Sequence, residues 1–396
     1  MLGMTAASES HSLGTRSIIQ TILVMCKVVA ETGAEESEKT IRSSSGASST
    51  ESTTHLETTK TMGTRNSSQE SNADTSSNVV VSLDKSSVPR GFMQYLGVWF
   101  WVGTIFWYLV FLVGIPLFYH TMTWKIWAAL LVVATLVPCD RRLQPQICFD
   151  FGAWIIRKSV EYFHVKVVLL NEEAVRTSGT AIIAMEPHDV LPLSICGFSN
   201  CFQGLPGHRC VACVTSFCFQ LPIMKHIYTW VNATAVDKQN VLRFLRAGVS
   251  PVICPGGVQE VTLMEKDDEC VLFLKSRLGF VKLAMQQGVP IIPVFSFGLA
   301  GTFDCWLPKS EWMKNFGRKI GFLPLVFFGI WGLPYSPGKP VDYTLVVGEP
   351  ITMPHVADPS MEDIRKYHAQ YVHALETIFH THKAKYGMAD VQLRIA

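Results

Sequence analysis

Residues 180–189 read Thr-Ala-Ile-Ile-Ala-Met-Glu-Pro-His-Asp, a strand-like apolar run that ends abruptly in two acids, a proline and a histidine. A short, uncharged, Ile-containing run of this kind is expected to be a buried β-strand. That reading places Glu186-Pro187-His188-Asp189 where a strand becomes a loop, and in parallel α/β sheets ligands bind at those strand ends. A histidine there, next to a proline and flanked by carboxylates, has what a general base requires. Its ordinary pKa lies near neutrality, and a carboxylate can hold its tautomer and stabilise the imidazolium. Two flanking acids would be expected to raise that pKa.

The same alternation extends outward from this strand. His164 to Leu170, Arg209 to Thr215, Val231 to Val236, Ser250 to Pro255, Pro290 to Phe297 and Tyr343 to Gly348 read as further strands. Helical patterns lie between them at Gln239 to Ala247 and Glu269 to Gln287, the second closed by Gly288 and Pro290. A long final helix opens at Asp358-Pro359 and carries Met361, Ile364, Tyr371, Leu375 and Ile378 on one face. Its four histidines, His368, His373, His380 and His382, are expected to be exposed or capping. The fold class predicted for residues 139–396 is therefore α/β with a mostly parallel sheet.

Upstream the character changes twice. Residues 1–91 form a first region, and from Glu31 to Arg90 it is dominated by Ser and Thr with no apolar periodicity, which predicts disorder. Residues 92–138 form a second. Phe92 to Phe118 contains no charged residue but carries Trp99, Trp101, Trp107, Tyr95 and Tyr108. As a helix those residues would reach roughly 40 Å, more than the hydrocarbon core of a bilayer. A second apolar segment at about 124–138 is shorter and reads as the return arm of a transmembrane helical hairpin. Lys85 and Arg90 precede the hairpin, Arg141 and Arg142 follow it, and Lys125 alone lies between, so both ends are expected in the cytosol.

Composition fits that division. The 396 residues are 48% hydrophobic and 17% charged, below the roughly 25% charged of an average soluble domain. The net charge of +2 provides no footprint for nucleic acid, and no such partner is expected. The eleven cysteines are odd in number and scattered, which argues for reduced thiols. Cys210, Cys213 and Cys218 lie near His208 and His226, but without a second paired unit at ligand spacing they read as small buried hydrophobes, and no metal is expected.

Two more motifs follow the histidine. Pro255-Gly256-Gly257-Val258-Gln259-Glu260 succeeds the strand at Ser250, where paired glycines let backbone amides approach a ligand. It lacks the Lys-Ser or Lys-Thr of a P-loop and the spacing of dinucleotide folds. Next, Lys275 to Lys282 is expected on a helix, with Lys275 and Lys282 one heptad apart and Arg277 offset from them around Gly279-Phe280, a cationic group that could receive phosphates or simply form a solvated helix face.

With these motifs in this order behind an apolar hairpin, the chain resembles the type 2 diacylglycerol acyltransferase family from about Phe92 onward. Glu186-Pro187-His188-Asp189 is similar to the plant-type form of that family's His-Pro-His-Gly block. Pro255-Gly256-Gly257 through Glu260 matches its Pro-Gly-Gly block, and Arg277-x-Gly279-Phe280-x-x-x-Ala284 its Arg-x-Gly-Phe block. Leu299-Ala300 departs from the Glu or Gln often found there.

The resemblance implies transfer of an acyl group from acyl-CoA, a co-substrate, to diacylglycerol, with no cofactor. It gives His188 the role of base, Glu186 or Glu260 (Glu260 preferred) that of orienting the imidazole, and Gly256 and Gly257 that of oxyanion donors. Arg277, with Lys275 or Lys282, would meet coenzyme A. It further implies residence in the endoplasmic reticulum membrane, or on lipid droplets, among membrane lipid, with homo-oligomerisation left open. Monoacylglycerol or a long-chain alcohol is the alternative acceptor, and a non-catalytic droplet-coating hairpin is the rival of another class. The apolar run Ile320 to Leu333 is expected at the interface, along an acyl channel or in the core.

Overall fold

The seven segments expected as strands all pair into one sheet. In a computed structural model of the chain, residues 79–81, 89–107, 123–199, 205–264, 268–307, 310, 312, 315 and 325–396 are described. They fall within one compact unit, Asn78–Ala396. The strands are β1 (Val79–Val81), β2 (Lys166–Leu169), β3 (Ile182–Glu186), β4 (Cys210–Val214), β5 (Ala233–Ala235), β6 (Ser250–Ile253), β8 (Ile291–Phe297) and β11 (Thr344–Val347), in the order β1-β2-β11-β8-β3-β6-β4-β5. β1 runs antiparallel to β2 and β11 antiparallel to β8, while the other neighbours are parallel. The sheet is therefore mixed, with a parallel centre. β3, buried at all five residues, sits between β8 and β6.

Two small ribbons stand outside it: β7 (Glu269–Leu272) with β12 (Gln392–Ile395), and β9 (Asp304–Trp306) with β10 (Val326–Phe328). β10 comes from the apolar run at 320–333, and Phe327 there is buried between Phe303 and Tyr335, whereas Trp331 and Leu333 are exposed.

Nine helices surround these strands among the described residues: α1 (Phe92–Trp101), α2 (Thr123–Leu136), α3 (Gln146–Tyr162), α4 (Glu172–Thr177), α5 (Pro222–Trp230), α6 (Lys238–Arg246), α7 (Val258–Val261), α8 (Gly279–Gln287) and α9 (Met361–His382). The main core lies where α8 and α9 cover one face of the sheet. Ile182 and Ala184 of β3, Phe295 and Phe297 of β8, and Ile364, Tyr371, Leu375, Ile378 and Phe379 of α9 meet there. α9 starts two residues later than expected. Its cap is Ser360, whose Oγ accepts from the Asp363 amide, rather than Asp358. His368 and His382 are buried, because they share the face that packs on the sheet, while His373 and His380 are exposed.

The expected helix from Glu269 to Gln287 is a strand, a loop and then a helix. Glu269-Cys270-Val271-Leu272 pairs with β12 from more than 120 residues downstream, and only Gly279–Gln287 is helical. Pairing over that distance overrides local propensity.

The expected hairpin also divides differently. α1 is docked on α3: Gln94 Nε2 donates to Glu161 Oε2 at 3.1 Å in a buried contact, and the rings of Tyr95 and Phe100 pack edge-on against Tyr162 and Phe151. Arg90 donates from Nε to the Tyr162 carbonyl and from Nη2 to Asp342. Phe92–Trp101 therefore covers the α/β domain, so the domain begins before residue 139. Val79–Val81, within the stretch expected to be disordered, is an edge strand. Residues 1–78 and 108–122 lie outside those described, and among the described residues no helix is long and apolar enough to cross a membrane.

α2 leaves Ile126, Leu130, Val132, Val133 and Leu136 exposed. Its carboxyl end is held by α5, where Lys225 Nζ donates to the carbonyls of Thr135 and Val137, and His226 Nε2 donates to that of Ala134. A cation on the last open carbonyls of a helix is favourable electrostatically.

Phe379 is fully buried against Phe295 and Phe297, with ring centroids 5.2 and 6.4 Å away. Phe379→Ala is expected to cost about 3–5 kcal/mol, readable as a lowered unfolding midpoint of the purified chain in detergent.

Candidate functional site

Because β3 and β6 are hydrogen-bonded neighbours with Ala184 opposite Ile253, the loops that leave their carboxyl ends are brought together. One carries Glu186 to Asp189 and the other Pro255 to Glu260. Their first link is Gly256, whose N–H donates to Glu186 Oε1 at 2.7 Å. Their second is Glu260, which is 1% exposed and whose Oε2 accepts the backbone N–H of His188 at 2.6 Å. Glu260 Oε1 accepts a further N–H, from Phe273 just beyond β7, at 3.2 Å.

The glycines are required by this closeness. A Cβ on Gly256 would fall 1.7 Å from Glu260 Oε1, and Gly257 has φ +59°, ψ −154°, backbone that L side chains rarely adopt. Arg277 closes the turn from the other side, its Nη2 donating to the Gly256 carbonyl at 3.2 Å and its guanidinium lying over the Phe273 ring.

His188 is half-buried. Its Nδ1 lies 2.8 Å from the carbonyl oxygen of Asp189. A carbonyl only accepts, so Nδ1 carries the proton and the neutral ring presents Nε2 as a base. Among the described residues no carboxylate holds the imidazole. The expected orienting acids act on the backbone instead, Glu260 on His188 N–H and Glu186 on Gly256 N–H, while Asp189 Oδ1 turns to the Val190 amide at 2.5 Å. The expectation of a raised His188 pKa is therefore corrected: burial pushes it below its ordinary value, and the Asp189 carbonyl only partly offsets this.

The two glutamates form a buried acid pair with unequal shares of donors. Burial, and then the neighbouring Glu260 charge, push Glu186 well above the usual carboxylate range. Its Oε2 meets no N–H donor among the described residues, so nothing there favours the charged form, and Glu260 is the neighbour to which a protonated Glu186 donates. Burial also raises Glu260, to about 7, and the bond from Glu186 and the His188 and Phe273 amides hold it down. With one N–H aimed at each of its oxygens, Glu260 fits the site as the carboxylate of the pair.

Two further expectations change. Gly256 is committed to Glu186, so of the two glycine amides only that of Gly257 is left for an oxyanion. The cations are not all helical as expected: Lys275 is exposed in the turn before α8, Arg277 precedes α8 and points back to Gly256, and Lys282 on α8 lies 3.6 Å from Asp358. Gly279 is the exposed first residue of α8, and Phe280 packs edge-on against Tyr371 of α9. Phe273 and Tyr371 are members of the site that the sequence did not single out. Phe273 contributes only its backbone N–H, which any residue possesses, and fully buried Tyr371 reaches the site region from the far end of the chain, its hydroxyl 3.4 Å from the Ala184 carbonyl.

The family model described as diacylglycerol acyltransferase matches residues 116–396. Diacylglycerol O-acyltransferase 2 of Bos taurus is 31% identical over 254 residues, covering 59% of this chain and 68% of its own. The Homo sapiens protein of that name is 30% identical over 254 residues, 59% of this chain and 64% of its own. Acyl-CoA wax alcohol acyltransferase 2 of Homo sapiens is 30% identical over 255 residues, 59% and 74%. A solved 1-acyl-sn-glycerophosphate acyltransferase from Thermotoga maritima superposes at a TM-score of 0.35 and 15% identity, covering 74% of this chain and 98% of its own.

The acid pair makes a prediction for stability. A carboxyl whose pKa is raised on folding contributes stability that is full below its unfolded value and lost as pH rises through the folded one. Glu186→Gln, a neutral isostere that still accepts from Gly256, should leave stability unchanged near pH 4 and raise it at pH 8 relative to wild type. Melting curves of both proteins across that range check it, and parallel curves contradict it.

Proposed function

The chain belongs to the diacylglycerol acyltransferase family, and from that membership we propose that it carries an acyl group from acyl-CoA to the free hydroxyl of diacylglycerol, with His188 as general base. The observation that carries the reading is the tautomer of His188, its Nδ1–H spent on the Asp189 carbonyl and its Nε2 left basic at the mouth of a parallel sheet.

In this mechanism Nε2 takes the hydroxyl proton as the oxygen attacks the thioester carbonyl. The tetrahedral oxyanion is met by the Gly257 amide. Collapse breaks the C–S bond, the imidazolium returns the proton to the leaving thiolate, and triacylglycerol and coenzyme A are released. Burial keeps His188 neutral near pH 7, the state a base needs. Exposed Lys275, and Lys282 beside the exposed Asp358, are the cations placed to meet coenzyme A phosphates, and Arg277 serves by fixing the glycine turn.

The neutral acceptor is reached through lipid. The exposed apolar residues of α2 support contact of that helix with a bilayer, with both ends of the 92–138 segment in the cytosol and residence in the endoplasmic reticulum or on droplets as the places where acyl-CoA and diacylglycerol meet. The wax alcohol relative keeps a long-chain alcohol as the second acceptor to be assayed.

Expression in cells lacking neutral-lipid synthesis tests this. Triacylglycerol should accumulate with the wild-type chain and exceed any wax ester. His188→Ala should lower turnover by about 10²–10⁴-fold, the range for a general base, while remaining in the membrane fraction. No neutral lipid from the wild type, or full turnover from His188→Ala, contradicts the proposal. A second test is the pH profile. Protonating either oxygen of Glu260 sets a donor against an N–H donor, so kcat should fall as pH drops through about 7. An acid limb below pH 6 contradicts that account.

A further inference from the structure

β7 has a single strand partner among the described residues, and it comes from the far end of the chain. The β7–β12 ribbon is separate from the eight-stranded sheet. Its register is parallel, with Gln392 opposite Glu269 and Ile395 opposite Leu272, and Arg394 grips Glu269 through Nε at 2.7 Å and Nη2 at 3.0 Å. Beyond the strand, the Ala396 carbonyl oxygen accepts from the amides of Leu274 and Lys275 at 3.1 and 2.9 Å. Leu393 and Ile395 pack against the core that α9 and α8 build.

What β12 holds is the segment that completes the acyl-transfer site. Phe273 follows directly on β7 and donates its N–H to Glu260, which in turn holds His188 N–H. Arg277, four residues on, lies over Phe273 and bonds the Gly256 carbonyl. Both contacts are made by a loop with β12 along one flank. Without β12, β7 would lose its ladder, and the Phe273 amide and the Arg277 guanidinium would lose the support that fixes their distance to the turn.

We propose that strand β12 is a positioning element of the acyl-transfer site, setting Glu260 and thereby His188 through its pairing with β7. The inference rests on the reading of His188 as base. Residues 392–395 touch no reacting atom in this account. Their effect travels by backbone pairing to Phe273 and then by one hydrogen bond to Glu260.

The test uses the full chain in membranes, with rates per molecule of protein measured against oleoyl-CoA at saturating diacylglycerol. Removal of residues 392–396 should lower kcat by tenfold or more, a larger factor than any rise in KM for oleoyl-CoA, since Lys282 stays on α8 and Lys275 loses only the Ala396 carbonyl that its amide meets. It should also move the acid limb of the kcat profile to higher pH, because Glu260 loses a donor that favours its ionised form. The groups facing Glu260 are Glu186 of β3, His188 and Asp189 of the following loop, Cys254 beyond β6, Cys270 of β7, Arg277 beside the turn and Tyr371 of α9. All of them remain in the shortened chain, so a shift reports the lost donor.

Should the shortened chain fail to accumulate, the ion pair decides. Glu269→Arg and Arg394→Glu should each lower kcat by about two- to fivefold, as expected of a half-exposed pair, and the double reversal should restore it. An unchanged kcat and acid limb after removal, a rate loss explained by abundance alone, or single reversals at wild-type kcat would each overturn the proposal while His188→Ala remains inactive. An active His188→Ala overturns the parent reading and this inference with it.

Discussion

Glu260 accepts two backbone N–H groups, one on each carboxylate oxygen, and those donors come from two different loops. His188 belongs to the loop after β3, Phe273 to the segment after β7, and Glu260 itself to the turn after β6. A single buried acid therefore fixes the relative places of three chain segments that are distant in sequence. Burying a carboxylate is costly unless donors meet it. Here the donors are amides of the very loops that need placing, so the desolvation cost acts as a constraint on geometry. The neighbouring Glu186 relieves the repulsion of a second buried charge by holding a proton, and it ties down the Gly256 amide at the same time.

This arrangement explains why a protein with so few charges concentrates them where it does. The imidazole needs an apolar surround that keeps it neutral, and contact with a carboxylate would raise its pKa. Anchoring it through its backbone N–H satisfies both demands. Arg277 shows the same economy, since it stabilises the turn through a carbonyl and an aromatic face. Among the helices, α1 and α2 carry the most apolar sequence. Both are tied to the α/β body by polar contacts, α1 through Gln94 and Glu161, α2 through Lys225 and His226. The apolar surface is thereby held in fixed relation to the domain.

Much of the fold was legible in the sequence because the central strands are buried on both faces. Thr180 to Met185 or Pro290 to Phe297 must be apolar nearly throughout, and glycine or proline marks their ends. The histidine and glycine motifs were legible for a related reason, since strand ends in a parallel sheet are where polar residues gather. What escaped was non-local. Glu269 to Leu272 looked like the start of a helix because its partner strand lies more than 120 residues away. The orienting role given to Glu186 and Glu260 was misplaced because sequence shows which acids are near a histidine but not which of its atoms they meet. Lys275 and Arg277 were placed on a helix because Glu269 to Gln287 was read as one, and only Lys282 lies on it.

The central claim is that an ionised Glu260, gripping the backbone N–H of His188, sets the base in place. Glu260→Gln tests it most directly, because it preserves shape while turning one acceptor into a donor aimed at an amide. A buried donor left facing a donor costs about 1–3 kcal/mol, or roughly tenfold to a hundredfold in rate. The account predicts a loss of that size in kcat for triacylglycerol formation, with KM for acyl-CoA unchanged and the acid limb near pH 7 abolished. A Glu260→Gln chain with wild-type kcat and the wild-type pH profile would contradict it.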